Sequence, residues 1–452
     1  LGKLEEANKA YQKSLEIDPK QIHLISNIIY TLSRLCMWDE IEKYLPYLNR
    51  IGIEGKASDP FPLMYIEDNP LNHLKRAIKY SNEVRREELP TINHNKNNKI
   101  KIGYFSSDFR NHPVTHLLIR ILELHNKSKF EIYAYSLSNI KDDYTIRVKK
   151  AVSVFREINN LSDLDIVKLA RNDKLDIAID LNGYTKNSRN SIFSYRVAPI
   201  QFNYLGFPGS MGSKSYDYVL ADKVLIPEEN KKFYTEKVLY LPNCHLPYDD
   251  KFISKKKFNR DELGLPLEGF VFTCFNSIYK ITRKEFIIWI KLLKSVEGSV
   301  LWIIKPHQEA INNIHCELRK HRIDKERVIF AEQVGLDDHF LRHSCADLFL
   351  DTFNFNAAST AQIALAYGLP IITLLGKSLT ARIAGSILSS CDLNELITYN
   401  TTQYEQLAYE LATNKEKFNQ IREKIKNKRN STFFNSFQFT KDLESIYTSI
   451  TQ

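Results

Sequence analysis

The sequence predicts an α/β protein built from two doubly wound parallel sheets behind an all-α segment. Three observations carry that prediction. From about residue 99 onward, short apolar runs alternate with amphipathic helical stretches, the pattern of strands joined by crossover helices. One polar, basic stretch over 249–262 interrupts the alternation and divides the strands into two series. Ahead of both, residues 1–50 repeat small and large residues at helical spacing, with no strand-like run.

The helical start is read from Gly2, Leu4, Ala7, Tyr11 and Leu15, followed by a turn at Pro19. This is a tetratricopeptide rhythm and predicts two helical hairpins. Such pairs do not close a core alone, so they are expected to stack on the domain that follows and to have further repeats upstream. The chain starts without Met and inside a repeat, so it is expected to be the carboxyl-terminal part of a longer protein. Residues 58–88 contain Asp59-Pro60-Phe61-Pro62 and then Leu71, Leu74, Ala77 and Ile78 at helical spacing, which reads as a connector.

In the first α/β series the predicted strands are 100–105, 130–137, 176–181, 200–205, 218–221 and 238–241. The second series has predicted strands at 270–275, 300–304, 327–330, 348–351 and 370–374. Two such lobes are expected to form a cleft. The tail from Thr402 is helical, and Phe437, Leu443, Ile446 and Tyr447 place an apolar stripe on a last helix that is expected to cross back to the first lobe. The organisation expected is repeats at 1–57, connector at 58–98, first lobe at 99–248, linker at 249–262, second lobe at 263–430 and closing helix at 431–452.

Length and composition agree, since 452 residues with 43% hydrophobic content can fill two or three cores. No run approaches the roughly 18 apolar residues of a membrane helix, and no cleavable leader is visible. The six cysteines stand singly, without Cys-x-x-Cys or paired Cys/His spacing, which argues against a zinc tetrahedron and for a reducing cytoplasm. The net charge of +9 is spread along the chain and densest over 251–257, 320–327 and 422–429, without aromatic interleaving. Solvated helix faces explain it, and no nucleic-acid partner is expected.

Several candidate functional residues fall at strand ends. Lys280 follows the apolar run 271–274 through Phe275-Asn276-Ser277-Ile278-Tyr279, at the sheet edge where open α/β sheets hold ligands. A second apolar run ends at Asp351 and leads into Asn356-Ala357-Ala358-Ser359-Thr360, small residues opening a helix whose free N–H groups suit a diphosphate. One cation and one helix N-terminus directed to the same place point to a nucleotide-sugar site. A surface lysine is the plainer alternative for Lys280. His339 and Arg342 lie one helical turn apart and either flank a base and ribose or pair with Asp337 and Asp338. In the first series, Ser106 to Pro113 lies between strand and helix, so His112 either faces a cleft or caps the helix that Pro113 opens. Asn182-Gly183-Tyr184-Thr185 and Gly206-Phe207-Pro208-Gly209 are turns that allow close backbone approach, although turns need glycine in any case.

The ordered set Gly103-Tyr104-x-Ser106-x-Asp108, Asn111-His112-Pro113, Asn182-Gly183-Tyr184-Thr185, Arg196-x-Ala198-Pro199-Ile200-Gln201, Leu205-Gly206-x-Pro208-Gly209, Phe275-Asn276-x-x-x-Lys280, Leu350-Asp351-Thr352 and Arg382-x-Ala384 resembles the catalytic region of the O-linked N-acetylglucosamine transferases. This is glycosyltransferase family 41, which also includes the Spindly-type O-fucosyltransferases. The resemblance runs from about residue 99 to the end. It implies a GT-B fold with an acceptor-side first lobe and a nucleotide-sugar-binding second lobe. It also implies inverting, metal-independent transfer from UDP-GlcNAc to Ser or Thr of a protein, with repeats that help present the acceptor and offer a route to oligomers.

Residue by residue, Lys280 resembles the lysine that binds the donor diphosphate, and His112 a histidine near sugar and acceptor. Pro208 and Gly209 match the loop lining the sugar pocket, and Ser359 and Thr360 the phosphate-binding helix start. Ser277, Val334, His339 and Arg342 match nucleotide-side positions. Three positions depart from the family: Ile363 replaces a ribose-binding carboxylate, Ala358 a histidine and Leu336 a lysine. Loss of the carboxylate alone is expected to cost about 1–3 kcal/mol of donor binding. O-fucosyl transfer, N-glucosyl transfer to Asn and a non-catalytic tetratricopeptide scaffold are the alternative functions. The Asn-, Ile- and Lys-rich composition leans towards a bacterial enzyme acting on a surface or flagellar protein.

Overall fold

The computed structural model describes residues 3–84, 89–90, 92, 98–251, 258–428 and 431–452. Gly2, residues 85–88 of the connector, most of the basic 251–257 stretch and Arg429 lie outside the described residues. Among the described residues the helices in chain order are α1 (Leu4–Ile17), α2 (Ile25–Arg34), α3 (Trp38–Glu42), α4 (Pro70–Val84), α5 (Pro113–Leu124), α6 (Asp143–Ala151), α7 (Asp163–Asn172), α8 (Ser191–Ser194), α9 (Arg283–Ser295), α10 (Gln308–Lys320), α11 (Leu336–Leu341), α12 (Ser359–Ala366), α13 (Ile383–Ser390), α14 (Thr401–Thr413), α15 (Lys415–Asn427) and α16 (Ser436–Ile450). The strands are β1 (Ile100–Ser106), β2 (Phe130–Ser136), β3 (Val154–Glu157), β4 (Ile177–Asp180), β5 (Ile200–Asn203), β6 (Tyr218–Ala221), β7 (Lys237–Tyr240), β8 (Val271–Cys274), β9 (Val300–Ile304), β10 (Val328–Ala331), β11 (Leu348–Leu350), β12 (Ile371–Leu374) and β13 (Ile397–Thr398). No described helix is long and apolar enough to cross a membrane.

The residues group into two compact units that do not follow chain order. One is drawn from Leu1–Ser58, Pro62–Asn69 and Ile253–Asn430, the other from Asp59–Phe61, Pro70–Phe252 and Ser431–Gln452.

The latter unit holds a seven-stranded, all-parallel sheet in the order β3-β2-β1-β4-β5-β6-β7. Its central strands are covered on both faces, which is why they read as nearly continuous apolar runs. Ile102, Ile132, Ile177, Ile179 and Phe202 are buried with Leu118 and Ile119 of α5 and Leu443 and Tyr447 of α16. The closing helix therefore belongs to the core of the first sheet. It is fastened by polar contacts as well: Tyr104 Oη lies 3.1 Å from Tyr447 Oη and 3.0 Å from His125 Nε2, while His125 Nδ1 is 3.0 Å from Glu444. Between β1 and β4 the winding reverses direction, and that switch point is where such sheets bind ligands at their carboxyl edge.

The other unit holds a six-stranded parallel sheet in the order β10-β9-β8-β11-β12-β13, reversing between β8 and β11. The amino-terminal helices pack here and not, as the sequence reading had it, on the lobe that follows them in the chain. Ile28, Ile29 and Leu32 of α2 are fully buried, and the Trp38 ring lies 4.6 Å from Phe286 of α9. Asn313 of α10 donates to the Leu35 carbonyl at 2.8 Å. An apolar helix face must find cover, and Ile25 and Ile29 of α2 find it against Ile51 and Leu63. Of the two hairpins expected, α1 and α2 form one. The second is reduced to α3 and a turn at Leu45–Tyr47, where Pro46 lacks the N–H a longer helix would use.

Candidate active site

In the second sheet, the two strands flanking the switch point deliver the residues that matter. β8 is fully buried and leads through Phe275 and Asn276 to a single turn at Ile278–Lys280, closed by the Lys280 N–H on the Ser277 carbonyl at 2.9 Å. A reciprocal cap between Thr282 and Glu285 then starts α9. The turn is thus bounded by a strand and a capped helix, which fixes where Lys280 emerges.

β11 runs directly into Asp351, which is completely buried. Its carboxylate accepts from the N–H of Ala357 at 2.7 Å, the N–H of Thr352 at 2.9 Å, Asn276 Nδ2 at 3.1 Å and Thr373 Oγ1 at 2.7 Å. Those bonds draw the loop after β11 back onto the ends of β8 and β12. Burial pushes the Asp351 carboxyl up to about 6 against the pull of these donors. Burial also lowers the Lys280 ammonium to about 8, opposed by the nearby Asp351 charge.

Lys280 Nζ donates to the Asn356 carbonyl at 3.3 Å and sits 3.9 Å above the Phe355 ring centroid. Asn356 lies three residues ahead of α12. The residue at its cap, Ala358, has no side-chain acceptor, and the N–H groups of Ser359 and Thr360 take no acceptor among the described residues. A half-buried cation and an uncapped helix start are thereby held together. Asn276 Oδ1 and Asn356 Oδ1 are buried beside them without a partner among the described residues.

Arg342 is tied to the same strand end. Its guanidinium stacks 4.7 Å from the Phe275 ring, donates to the Glu332 carbonyl at 2.7 Å and contacts His339 Nδ1. The sequence left open whether His339 and Arg342 flank a ligand or pair with the aspartates; the guanidinium turns to Glu332, His339 and Phe275. Burial and the neighbouring guanidinium hold the His339 imidazole down to about 3, so its ring is neutral and able to stack. Ser277 and Val334 are exposed, Ser277 on the turn before Lys280 and Val334 in the loop ahead of α11.

In the first sheet, β4 ends at Asp180, again buried. It accepts from the N–H of Asn182 at 2.9 Å, the N–H of Gly183 at 3.0 Å and Tyr216 Oη at 2.6 Å. Asn182 in turn grips the loop after β1, accepting from the Ser107 N–H at 2.7 Å and donating to Asp108 at 3.0 Å. Gly183 has a φ of +54°, and a Cβ there would lie 2.4 Å from that of Phe207. At Gly206 a Cβ would fall 2.0 Å from the Leu181 carbonyl oxygen. Glycine is needed at 206 because its backbone meets that of Leu181, and at 183 because of its left-handed φ and the side chains crowded around it. Beyond Phe207, the turn carrying Pro208 and Gly209 is anchored by buried Glu236, which accepts from Ser210 Oγ at 2.7 Å and the Met211 N–H at 2.6 Å.

His112 caps α5. Its Nδ1 accepts from the Val114 N–H at 3.3 Å and lies 3.7 Å from Asp108. Burial lowers its pKa, with Asp108 opposing. A neutral ring whose Nδ1 is an acceptor carries its proton on Nε2.

Asp222, Cys244 and His245 are buried with their ligand atoms within 4.8 Å of one another. The Asp222 carboxylate already accepts the N–H groups of Val224, Leu225 and His245. The cluster serves a turn, with its acceptors spent.

Of the residues named from sequence, Lys280 meets the carbonyl of Asn356, three residues ahead of Ser359, and Arg342 contacts His339 and the Phe275 ring. Sequence reasoning overlooked Asp351, Asp180 and Asn276 as organising groups. A lone carboxylate closing an apolar run is the signal for the two aspartates, since a buried charge needs several donors.

Two parallel, doubly wound sheets of this topology, each reversing at one strand pair, define a glycosyltransferase fold of the GT-B type. The description "Glycosyl transferase family 41" matches residues 81–257 and 251–443, and the chain belongs to that family. It is 30% identical over 448 residues to the probable UDP-N-acetylglucosamine–peptide N-acetylglucosaminyltransferase SEC of Arabidopsis thaliana, covering 93% of this chain and 46% of the relative. A Caenorhabditis elegans UDP-N-acetylglucosamine–peptide N-acetylglucosaminyltransferase is 24% identical, covering 91% of this chain and 47% of the relative. The chain therefore spans less than half the length of these curated relatives. Among solved structures, a mutant O-GlcNAc transferase of Thermobaculum terrenum superposes with a TM-score of 0.83 at 22% identity, covering all of this chain and 88% of the other.

Proposed function

We propose that the protein is an inverting, metal-independent O-glycosyltransferase that moves N-acetylglucosamine from UDP-GlcNAc to Ser or Thr of a protein. The observation that carries this reading is the Lys280 ammonium held beside the uncapped start of α12, 3.3 Å from the Asn356 carbonyl. Charge accumulates on the diphosphate as the glycosidic bond breaks, and a fixed cation with free N–H donors stabilises it where it forms. The acceptor oxygen attacks the anomeric carbon from the side opposite the leaving diphosphate, which inverts the centre. Stacking on neutral His339 and hydrogen bonding from Arg342 hold the base and ribose. The names carried by the Arabidopsis and Caenorhabditis relatives support the donor and the peptide acceptor.

The acceptor proton has two candidate destinations. His112 can take it on Nε2 only by giving up the Val114 cap and moving its own proton to Nδ1. A phosphate oxygen of the leaving diphosphate needs no such change and is the destination proposed. His112 then donates from Nε2 and orients sugar or acceptor, with Pro208 and Gly209 lining the sugar.

A thermal-shift panel with UDP, GDP and their sugars tests the reading, since a bound nucleotide stabilises by mass action. Stabilisation by UDP and UDP-GlcNAc is the expected outcome. GDP selectivity would move the donor to GDP-fucose, and no shift with any nucleotide would make the chain a scaffold. Intact-mass analysis of a co-expressed acceptor then distinguishes an added N-acetylhexosamine from a deoxyhexose or a hexose.

A further inference from the structure

Segments that precede the first lobe in the chain hold three loops at the carboxyl edge of the second sheet. On the loop after β8, Trp38 Nε1 donates to the Ile281 carbonyl at 3.0 Å in a buried bond, one residue past Lys280. Tyr279, one residue before Lys280, has its ring 5.0 Å from Tyr65 and 6.2 Å from Tyr30. On the loop after β11, Asn354 Nδ2 donates to the Tyr65 carbonyl at 3.2 Å. On the loop after β12, the Asp68 carboxylate accepts the N–H groups of Lys377 at 2.8 Å and Ser378 at 2.6 Å.

The first two loops carry the proposed donor site, and the third meets it where the Asn356 N–H donates to the Thr380 carbonyl at 2.9 Å. Lys280 is bracketed on both sides by contacts from outside its own lobe, and residues 62–69 reach the loop that leads into α12. Loops of this kind have few fixed conformations of their own, because the strand before and the helix after constrain only their ends. To the bonds that Asp351 and Glu285 make within the lobe, Trp38 of α3, the Tyr30 ring of α2 and the 62–69 strap add contacts from outside it.

We infer that the amino-terminal helical segment is a structural part of the donor site, with Trp38, Tyr65 and Asp68 as positioning residues that set where Lys280 and the start of α12 stand. This rests on the reading of that edge as the diphosphate site. It carries a regulatory consequence: whatever moves α2 and α3, including a protein gripping the repeats, changes nucleotide affinity, and the nucleotide reciprocally changes the grip on that protein. The helical segment would thus do more than present an acceptor.

The test compares UDP dissociation constants, by calorimetry, for the full chain and for Trp38→Phe, Asp68→Asn and Ile121→Val. Trp38→Phe keeps the ring against Phe286 but loses the donor to Ile281. Asp68→Asn removes the charge that takes two N–H groups. Ile121→Val trims the fully buried core beneath the first sheet, apart from the helical segment and the three loops, and controls for general loosening. Weakening of UDP binding by about three- to tenfold in each of the first two variants is expected, with the control unchanged at a comparable loss of melting temperature. A donor KM that rises more than kcat falls is expected alongside it. Wild-type affinity in both Trp38→Phe and Asp68→Asn overturns the inference and leaves the proposed function standing. Equal weakening in the control also overturns it, by making the effect one of stability. A wild-type chain that binds no UDP overturns this inference together with the reading beneath it.

Discussion

Lys280 donates to the carbonyl oxygen of Asn356 at 3.3 Å, linking the turn after β8 to the segment that opens α12. The two residues are far apart in the chain but meet where the winding of the second sheet reverses. The contact spends one of three ammonium donors and leaves two for a ligand. The cation is aimed by the carbonyl, and the carbonyl belongs to a loop drawn in by Asp351.

Replacing Lys280 with Met keeps most of the side-chain volume and removes the charge. Transfer from UDP-GlcNAc is expected to fall by about a hundredfold or more in kcat, with the fold intact by circular dichroism. Near-normal turnover in single-turnover assays would place the leaving-group stabilisation elsewhere.

The pH dependence follows from the same residue. Burial lowers Lys280 to about 8, so in the free protein the ammonium is charged below that value and neutral above it. The kcat/KM for the donor, which reports the free enzyme, is expected to decline as pH rises through about 8. Lys280→Arg stays charged throughout and should lose this alkaline limb whatever its absolute rate. A limb that persists in Lys280→Arg belongs to another group.

His112→Ala removes the cap of α5 at a cost of about 1 kcal/mol in urea unfolding. If a phosphate oxygen takes the proton, kcat falls by less than about a hundredfold, below the 10²–10⁴ range of a lost general base. A larger fall, with the acid limb of the pH profile abolished, would make His112 the base.

Asp351→Ala leaves the Ala357 N–H, the Thr352 N–H, Asn276 and Thr373 without their acceptor. A loss of about 3 kcal/mol is expected, read as a lowered urea midpoint. UDP affinity should drop further than stability alone predicts, because the loop that carries Asn356 is released.

Gly206→Ala must displace the loop that carries Pro208 and Gly209, since the new methyl would meet the Leu181 carbonyl. Destabilisation of about 2 kcal/mol or more is expected.

Much of this architecture is legible in the sequence. Strands β1, β2, β4, β8, β9 and β11 are buried on both faces, so each appears as an apolar run regardless of what covers it. β3, read Val-Phe-Arg-Glu, was not visible because it is an edge strand with no fully buried residue. β13 has only two residues and carries no periodicity. The ends of strands, and therefore Lys280, His112 and Ser359, could be placed because a parallel sheet puts ligands where apolar runs stop.

The order of motifs and the alternation of runs were settled by local burial, which each segment records in its own residues. The sheet on which the amino-terminal helices pack, the donors that crowd Asp351, the ring under Arg342 and the nitrogen by which His112 caps α5 were decided only on folding. Each is a contact between side chains distant in sequence, and hydrophobic periodicity reports how deeply a residue is buried while saying nothing about which neighbour buries it.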